Sequence, residues 1–202
     1  MGAIEGFILI GGASSRMGTD KARLLLKGET FVQLVAKALS AVTTRVTLVG
    51  RSAPELASDL PSVSDIHQNW GALGGLYTAL ASCRADWGLV VACDLPLVTA
   101  DLFSRLAELR EDFEAVAPIQ RDGRPQPLCA LYRVRPCRAR ADQLIKTGER
   151  RPIALLQSVR TRWVTFGELE DLAGANHYFD NINTPQDYDR ASGKGDATQA
   201  AG

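Results

Sequence analysis

A chain of 202 residues is long enough for one α/β domain with a substantial core, or at most two small ones. Lys plus Arg and Asp plus Glu number 23 each, and the zero net charge excludes a general nucleic-acid or membrane surface while leaving room for one small basic pocket. The four cysteines, Cys83, Cys93, Cys129 and Cys137, show neither C-x-x-C spacing nor the density of a disulfide scaffold, which fits a reducing cytosol, with Cys93 a core thiol.

The opening MGAIEGFILIGG has no basic stretch before an apolar one, so no signal peptide is expected. Met1-Gly2 resembles a lipidation start, but Gly6 stands where Ser or Thr is wanted. Nowhere does an apolar run reach the length of a membrane span. Phe7 to Ile10 reads as a short central strand ended by Gly11-Gly12. The loop that follows, "GGASSRMGTDK", combines small residues, hydroxyls, Arg16 and Lys21. Glycines let backbone N–H groups approach a ligand, and the two cations add fixed positive charge, a set that suits an anion of phosphate size. The same residues also fit an ordinary turn. The spacing matches neither the G-x-x-x-x-G-K-[ST] phosphate loop nor the G-x-G-x-x-G dinucleotide fingerprint.

Downstream, strands and helices alternate. Thr30 and Gln33 form a capping box opening a helix whose Phe31, Val35, Ala38 and Val42 recur at helical spacing. Arg45 to Val49 reads as a strand, Gly71 to Ser82 as a helix with a glycine-rich start, and Trp87 to Ala92 as a buried strand ended by Cys93-Asp94-Leu95-Pro96. Thr99 caps a helix running to about Arg110. Strands are expected at 114–117 and 127–133, a helix near 138–146, a shorter one after Pro152, and an edge strand over 160–166. Thr184-Pro185 is a helix start, and residues 193–202 read as a disordered tail. Such alternation predicts a mostly parallel sheet with helices on both faces, whose ligands bind outside the carboxyl ends of the strands. The loops after Ile10 and Ala92 lie at such ends. Asp94 is either a turn aspartate or, if its strand neighbours the first one, a carboxylate facing the Gly11–Lys21 loop. In the second case the set suits a nucleoside triphosphate with Mg²⁺.

"LIGGASSRMGTDK" resembles the L-A-G-G-x-S-x-R-M-G-x-D-K signature of the molybdenum cofactor guanylyltransferases, members of the nucleotide-diphospho-sugar transferase superfamily with a Rossmann-like fold. Four further stretches agree in order: "GALGGL" (71–76), "ACDLP" (92–96), "RPQPLCALY" (124–132) and "FDNINTPQDY" (179–188). The resemblance implies one nucleotidyltransferase domain over residues 1–192, its N-terminal half holding nucleotide and its C-terminal half the acceptor. The implied reaction transfers GMP from GTP to molybdopterin, which usually carries molybdenum, and releases pyrophosphate. Carried over by position, Leu9, Ile10 and Gly11 would contact the nucleotide, and Gly12, Ser15, Arg16 and Lys21 would close on its phosphates. Arg16, Lys21 and Asp94 would serve catalysis, with Asp94 as the Mg²⁺ ligand. Asp65, aligned across a one-residue gap, and Gly74 of the glycine loop would also touch nucleotide.

Arg150 and Arg151 would face the acceptor phosphate, although an adjacent arginine pair also fits a solvated turn. Asn181 and Asn183 would read a pterin edge or serve turn chemistry before the Thr184 cap. Two departures stand out: Ile10 replaces the usual alanine, and Val49-Gly50 stands where an asparagine side chain often contacts nucleotide. His67 and His177 receive no catalytic role. The enzymatic rivals are a cytidylyltransferase on the same pterin and a nucleotidyltransferase on a sugar phosphate. From another class comes a nucleotide-binding regulatory protein without turnover. A cytoplasmic enzyme meeting cofactor-donating and cofactor-accepting proteins transiently, with no nucleic-acid or membrane partner, completes the expectation.

Overall fold

The computed structural model describes residues 2–10, 25–26, 28–50, 59–180, 182 and 187. Five helices, α1 (Phe31–Ser40), α2 (Gly71–Ser82), α3 (Ala100–Glu108), α4 (Val134–Lys146) and α5 (Ile153–Gln157), accompany nine strands among these residues. The strands are β1 (Ile4–Ile10), β2 (Leu25–Leu26), β3 (Glu29–Thr30), β4 (Val46–Gly50), β5 (Ser62–Val63), β6 (Trp87–Ala92), β7 (Ala115–Pro118), β8 (Cys129–Arg133) and β9 (Thr161–Val164). Seven of them form one sheet in the order β5-β4-β1-β6-β8-β7-β9, while β2 and β3 pair separately. Within the large sheet only β8 runs against its neighbours. The mostly parallel α/β sheet expected from the alternation is therefore present.

Its strands are apolar on both sides because both faces are covered. In β1 the alternation sends Ile4, Ile8 and Ile10 into one core layer and Phe7 and Leu9 into the other. The first layer packs beneath α1 and α3 through Val35, Leu39, Phe103 and Leu106. The second packs beneath α2, α4 and α5 through Leu73, Leu76, Cys137 and Leu155. Among the described residues no helix is long and apolar enough to cross a membrane.

Several expected boundaries shift for identifiable reasons. β1 starts at Ile4, before the apolar run, because Glu5 and Gly6 are drawn into the ladders with β4 and β6. Gly6 fits there since a Cβ would sit 3.2 Å from the Thr43 hydroxyl. The capping box is formed, with Gln33 N–H donating to Thr30 Oγ1 at 3.2 Å and Thr30 N–H to Gln33 Oε1 at 2.7 Å. However, α1 ends before Val42, so its buried stripe is Phe31, Val32, Val35, Ala36 and Leu39. Helix α4 begins at Val134 rather than near 138, with Pro136 in its first turn, where the missing N–H would have no intrahelical partner. The strand expected at 127–133 starts at Cys129, because Pro127 and Leu128 belong to the turn leading into it. β9 is an edge strand as expected, over 161–164. The helix start at Thr184-Pro185 lies outside the described residues.

Candidate functional site

The carboxyl ends of β1, β4, β5 and β6 converge on one rim of the sheet. Adjacent strands β1 and β6 place Leu9 opposite Ala92, and Cys93 N–H donates to Leu9 O at 3.1 Å. The carboxyl end of β1 at Ile10 and the Cys93-Asp94 turn therefore stand side by side on this rim. Gly11, Gly12, Ser15, Arg16 and Lys21 themselves lie outside the described residues, as do Asn181 and Asn183.

Asp94 is half-buried, and its turn is pinned from both sides. Leu95 N–H donates to Ala92 O at 3.3 Å, Leu95 and Pro96 are buried, and Asp94 O accepts from Ile182 N–H at 3.2 Å. Asp94 lines a cavity of ≈ 190 Å³ together with Ala92, Leu95, Gln126, Pro127, Leu128 and Pro152. The Gln126–Leu128 wall is held by Tyr132, fully buried, whose hydroxyl donates to Pro127 O at 2.6 Å, and by Ala92 N–H donating to Leu128 O at 2.8 Å. The motif stretches at 92–96 and 124–132 thus meet in one place. Beyond the β7–β8 hairpin a wider hollow of ≈ 370 Å³ opens between Gln120, Asp122, Asn176 and Phe179, with the Arg121 guanidinium 5.9 Å from the Phe166 ring centre.

On the β5 side, Asp65 presents a buried Oδ1 with no hydrogen-bond partner among the described residues, and burial raises its pKa above the ordinary carboxylate value. A buried acceptor left without a donor is costly, so an N–H or O–H from a bound molecule would stabilise it. Gly75 brings α2 close: a Cβ there would lie 3.7 Å from Asp65 Oδ1 and 3.5 Å from Leu9 Cδ1. The neighbouring loop is tied to the same helix, Ile66 N–H donating to Thr78 Oγ1 at 3.0 Å and Thr78 Oγ1–H to Gly74 O at 2.9 Å. At Gly74 the space a side chain would fill is taken by Trp70, whose Cβ would be 2.8 Å away.

The two sequence departures have structural reasons. The Ile10 side chain is buried with Ile8 in the α1/α3 layer, so it adds core volume there. Gly50 adopts φ +119°, and a Cβ would stand 1.9 Å from Ile10 O, so no side chain is possible at this position without moving β1.

Arg150 and Arg151 are both exposed, as a solvated pair would be, yet each has a defined partner. The Arg150 guanidinium lies 4.8 Å from the Trp70 ring centre and donates through Nη1 to Asn69 O at 3.3 Å. Arg151 makes a two-pronged contact with Glu149, Nε to Oε1 at 3.0 Å and Nη2 to Oε2 at 2.7 Å. Glu149 Oε1 also accepts the backbone N–H groups of Arg150 and Arg151, both at 2.9 Å. The Arg151 guanidinium first, and then these two amides, hold the Glu149 carboxyl down at about 2, against an ordinary 4.5. Because the folded value is depressed, its stabilisation is present above pH 4.5 and is lost as pH falls toward about 2. The melting difference between wild type and Glu149→Gln is accordingly expected to be flat above pH 4.5 and to narrow below it. A difference that stays constant down to pH 3 would show that the carboxylate charge does no stabilising here.

Sequence reasoning missed Trp70, whose ring centre lies 6.3 Å from that of His67, itself 5.1 Å from that of Tyr77. The available signal was position: an aromatic residue directly before a glycine-rich helix start. His177 Nδ1 lies 2.9 Å from Asp180 Oδ2 on an exposed turn. All four cysteines are unbridged. Burial pushes the Cys83 and Cys137 thiols up to about 12 and Cys129 higher still, so these three are poor nucleophiles.

The family model described as "MobA-like NTP transferase domain" matches residues 6–162. The chain belongs to the MobA-like NTP transferase family. It is by that membership a nucleotidyltransferase, and the matched span contains the β1 exit, Asp65, the Asp94 cavity and the Glu149–Arg151 loop. A probable molybdenum cofactor guanylyltransferase of Bacillus cereus (strain B4264) is 30% identical over 198 residues, covering 95% of this chain and 96% of the relative. A namesake from Bacillus thuringiensis (strain Al Hakam) is 29% identical with the same coverage. Among solved structures, molybdopterin-guanine dinucleotide biosynthesis protein A from Archaeoglobus fulgidus superimposes with TM-score 0.79 at 24% identity, covering 94% of this MobA-like chain and 97% of that one. The 2-C-methyl-D-erythritol 4-phosphate cytidylyltransferase of Thermus thermophilus gives 0.69 at 17% identity, covering 95% and 98%. The MobA-like fold is thus that of the nucleotide-diphospho-sugar transferases, as the sequence resemblance implied.

Proposed function

We propose that this enzyme transfers GMP from GTP to molybdopterin, forming molybdopterin guanine dinucleotide and releasing pyrophosphate. The observation that carries the reading is the adjacency of the carboxyl ends of β1 and β6, which sets Asp94 and its cavity next to the end of the strand after which the Gly11–Lys21 motif follows in sequence. Relatives named as guanylyltransferases along 95% of the chain favour guanine over the other bases.

The chemistry asks for alignment rather than a protein nucleophile. An oxygen of the molybdopterin phosphate forms a bond to the α-phosphorus of GTP, the bond from that phosphorus to the bridging oxygen breaks, and pyrophosphate leaves with the electron pair. Positioning and charge stabilisation supply most of the rate in such transfers. Lys21 and Arg16, with backbone N–H groups from Gly11 and Gly12 and the Ser15 hydroxyl, would hold the triphosphate. Asp65 would accept a hydrogen bond from the nucleoside through its Oδ1, which has no partner among the described residues. Arg150, Asn181 and Asn183 would orient the acceptor on the far side of the Asp94 cavity.

Mg²⁺ fits this donor set. Mg²⁺ characteristically takes one or two carboxylates plus substrate phosphates, and the half-buried Asp94 on the cavity wall offers one such carboxylate. Asp94 would hold it, and when bound it would neutralise charge on the phosphates. The reading places the reaction in the cytoplasm, with molybdopterin received from and product passed to other proteins by transient contact.

Thermal shift tests the nucleotide. GTP with Mg²⁺ at about 100 times its Kd is expected to raise the melting point by roughly 5–10 °C, since a ligand of the native state stabilises it by mass action. ATP and CTP at the same concentration should do much less. Equal shifts from all three would remove the guanine assignment, and a larger shift from CTP would favour a cytidylyltransferase.

A further inference from the structure

Asn69 and Trp70 are joined to one distant loop through side chain, ring face and backbone. Trp70 Nε1–H donates to Glu149 O at 3.0 Å, the Trp70 ring lies under the Arg150 guanidinium at 4.8 Å, and Asn69 O accepts from Arg150 Nη1 at 3.3 Å. The base of Trp70 is fixed with equal care. Asn69 at φ 59° and Gly71 at φ 68° stand on either side of it, both left-handed, and Gly74 leaves out the Cβ that would collide with it. A left-handed non-glycine residue costs energy that the surroundings must offset, and such residues gather at functional sites.

The loop on the other side is equally organised. Glu149 binds the Arg151 guanidinium and two successive amides, so Arg151 is committed, and Pro152 forms part of the Asp94 cavity wall. Arg150, exposed like Arg151, is held differently, by its guanidinium face on Trp70 and by Nη1 on Asn69 O. Stacking engages the π face of a guanidinium, and beyond the Nη1 bond to Asn69 O its remaining edge N–H groups can receive a phosphate oxygen pair.

We propose that Trp70 is a positioning residue for the acceptor: it presents the Arg150 guanidinium, edge outward, beside the Asp94 cavity to the terminal phosphate of molybdopterin. Trp70 thereby ties the loop leading into the nucleotide-side helix α2 to the acceptor-side loop 149–152. This rests on the guanylyltransferase reading given above.

Anaerobic titrations of molybdopterin and of GTP with Mg²⁺ into wild type, Trp70→Leu, Trp70→Phe and Arg150→Ala test it. Trp70→Leu is expected to weaken molybdopterin binding by about tenfold, a desolvated cation–π contact plus an orientation effect, while GTP affinity stays within about twofold. Trp70→Phe keeps a π face but loses the N–H, so it should fall between, with a melting point close to wild type. Arg150→Ala should match Trp70→Leu, and the double variant should be no worse than either, because the two act as one unit. Trp70 variants that bind molybdopterin as wild type does, or that lose GTP and molybdopterin affinity equally, overturn the positioning role. Wild-type protein that binds GTP but not molybdopterin overturns instead the acceptor assignment, and this proposal with it.

Discussion

Asp94→Asn is expected to reduce guanylyl transfer by on the order of 10²–10³-fold, the scale seen when one preorganised charge-stabilising group is removed, while the melting point moves by no more than about 2 °C. The backbone of this turn is held by groups other than the carboxylate. Its carbonyl binds Ile182 N–H, Leu95 and Pro96 are buried on its downstream side, and Cys93 N–H is bound to Leu9 O. Asparagine nearly preserves the shape and can still accept a hydrogen bond, so a turn or capping role would survive the change. It lacks negative charge, and a hard dication prefers carboxylate oxygen. Pyrophosphate release measured across a Mg²⁺ series separates the two roles. Near-normal turnover at ordinary Mg²⁺ would sink the metal assignment and the transfer mechanism built on it.

Gly50→Ala carries the largest expected structural effect. Gly50 closes β4 opposite Ile10, at φ +119°, with the virtual Cβ 1.9 Å from Ile10 O. Relief requires the tips of β1 and β4 to separate, at the point where the chain enters the proposed phosphate loop. The left-handed conformation alone costs about 1–2 kcal/mol for alanine, and the collision adds to it, so a drop of roughly 10 °C or more in melting point is expected. Weaker GTP binding should accompany it. Gly123→Ala is the matched control, because Gly123 also has positive φ (85°) but nothing within 4 Å of a Cβ. That variant should lose only about 2–8 °C. Equal losses at the two positions would mean that the close approach of β4 to Ile10 does not constrain the fold.

Much of the architecture could be read locally. The segments Gly71–Ser82 and Trp87–Ala92 became α2 and β6 without adjustment, since each combines a consistent apolar pattern with clear breakers at both ends. The Thr30 and Thr99 caps formed for the same reason: a hydroxyl three residues before an amide is a local device. The direction of β8 was also implicit. No helix separates 115–118 from 129–133, and parallel neighbours need a long crossover, so these two strands had to form a hairpin. The start of α4 was hidden because proline reads as a boundary even where its missing N–H does no harm.

The resemblance in five ordered stretches made the family of this chain legible, because those motifs are contiguous in sequence. The neighbourhood of Asp94 was decided only in three dimensions. Nothing in "ACDLP" states that β6 lies beside β1, that Gln126 to Leu128 and Pro152 wall the same cavity, or that Ile182 returns to its carbonyl. The pairing of Trp70 with Arg150, 80 positions apart, has no local signature either. An indole and a guanidinium stack only when two loops already stand at the right distance, and that distance is set by α2 and α4 packing on one face of the sheet. Asp65 belongs to the same class. Its sequence shows only a carboxylate upstream of the glycine loop, whereas burial against α2 leaves one of its oxygens without a donor among the described residues, and that unmet acceptor is what points to a ligand.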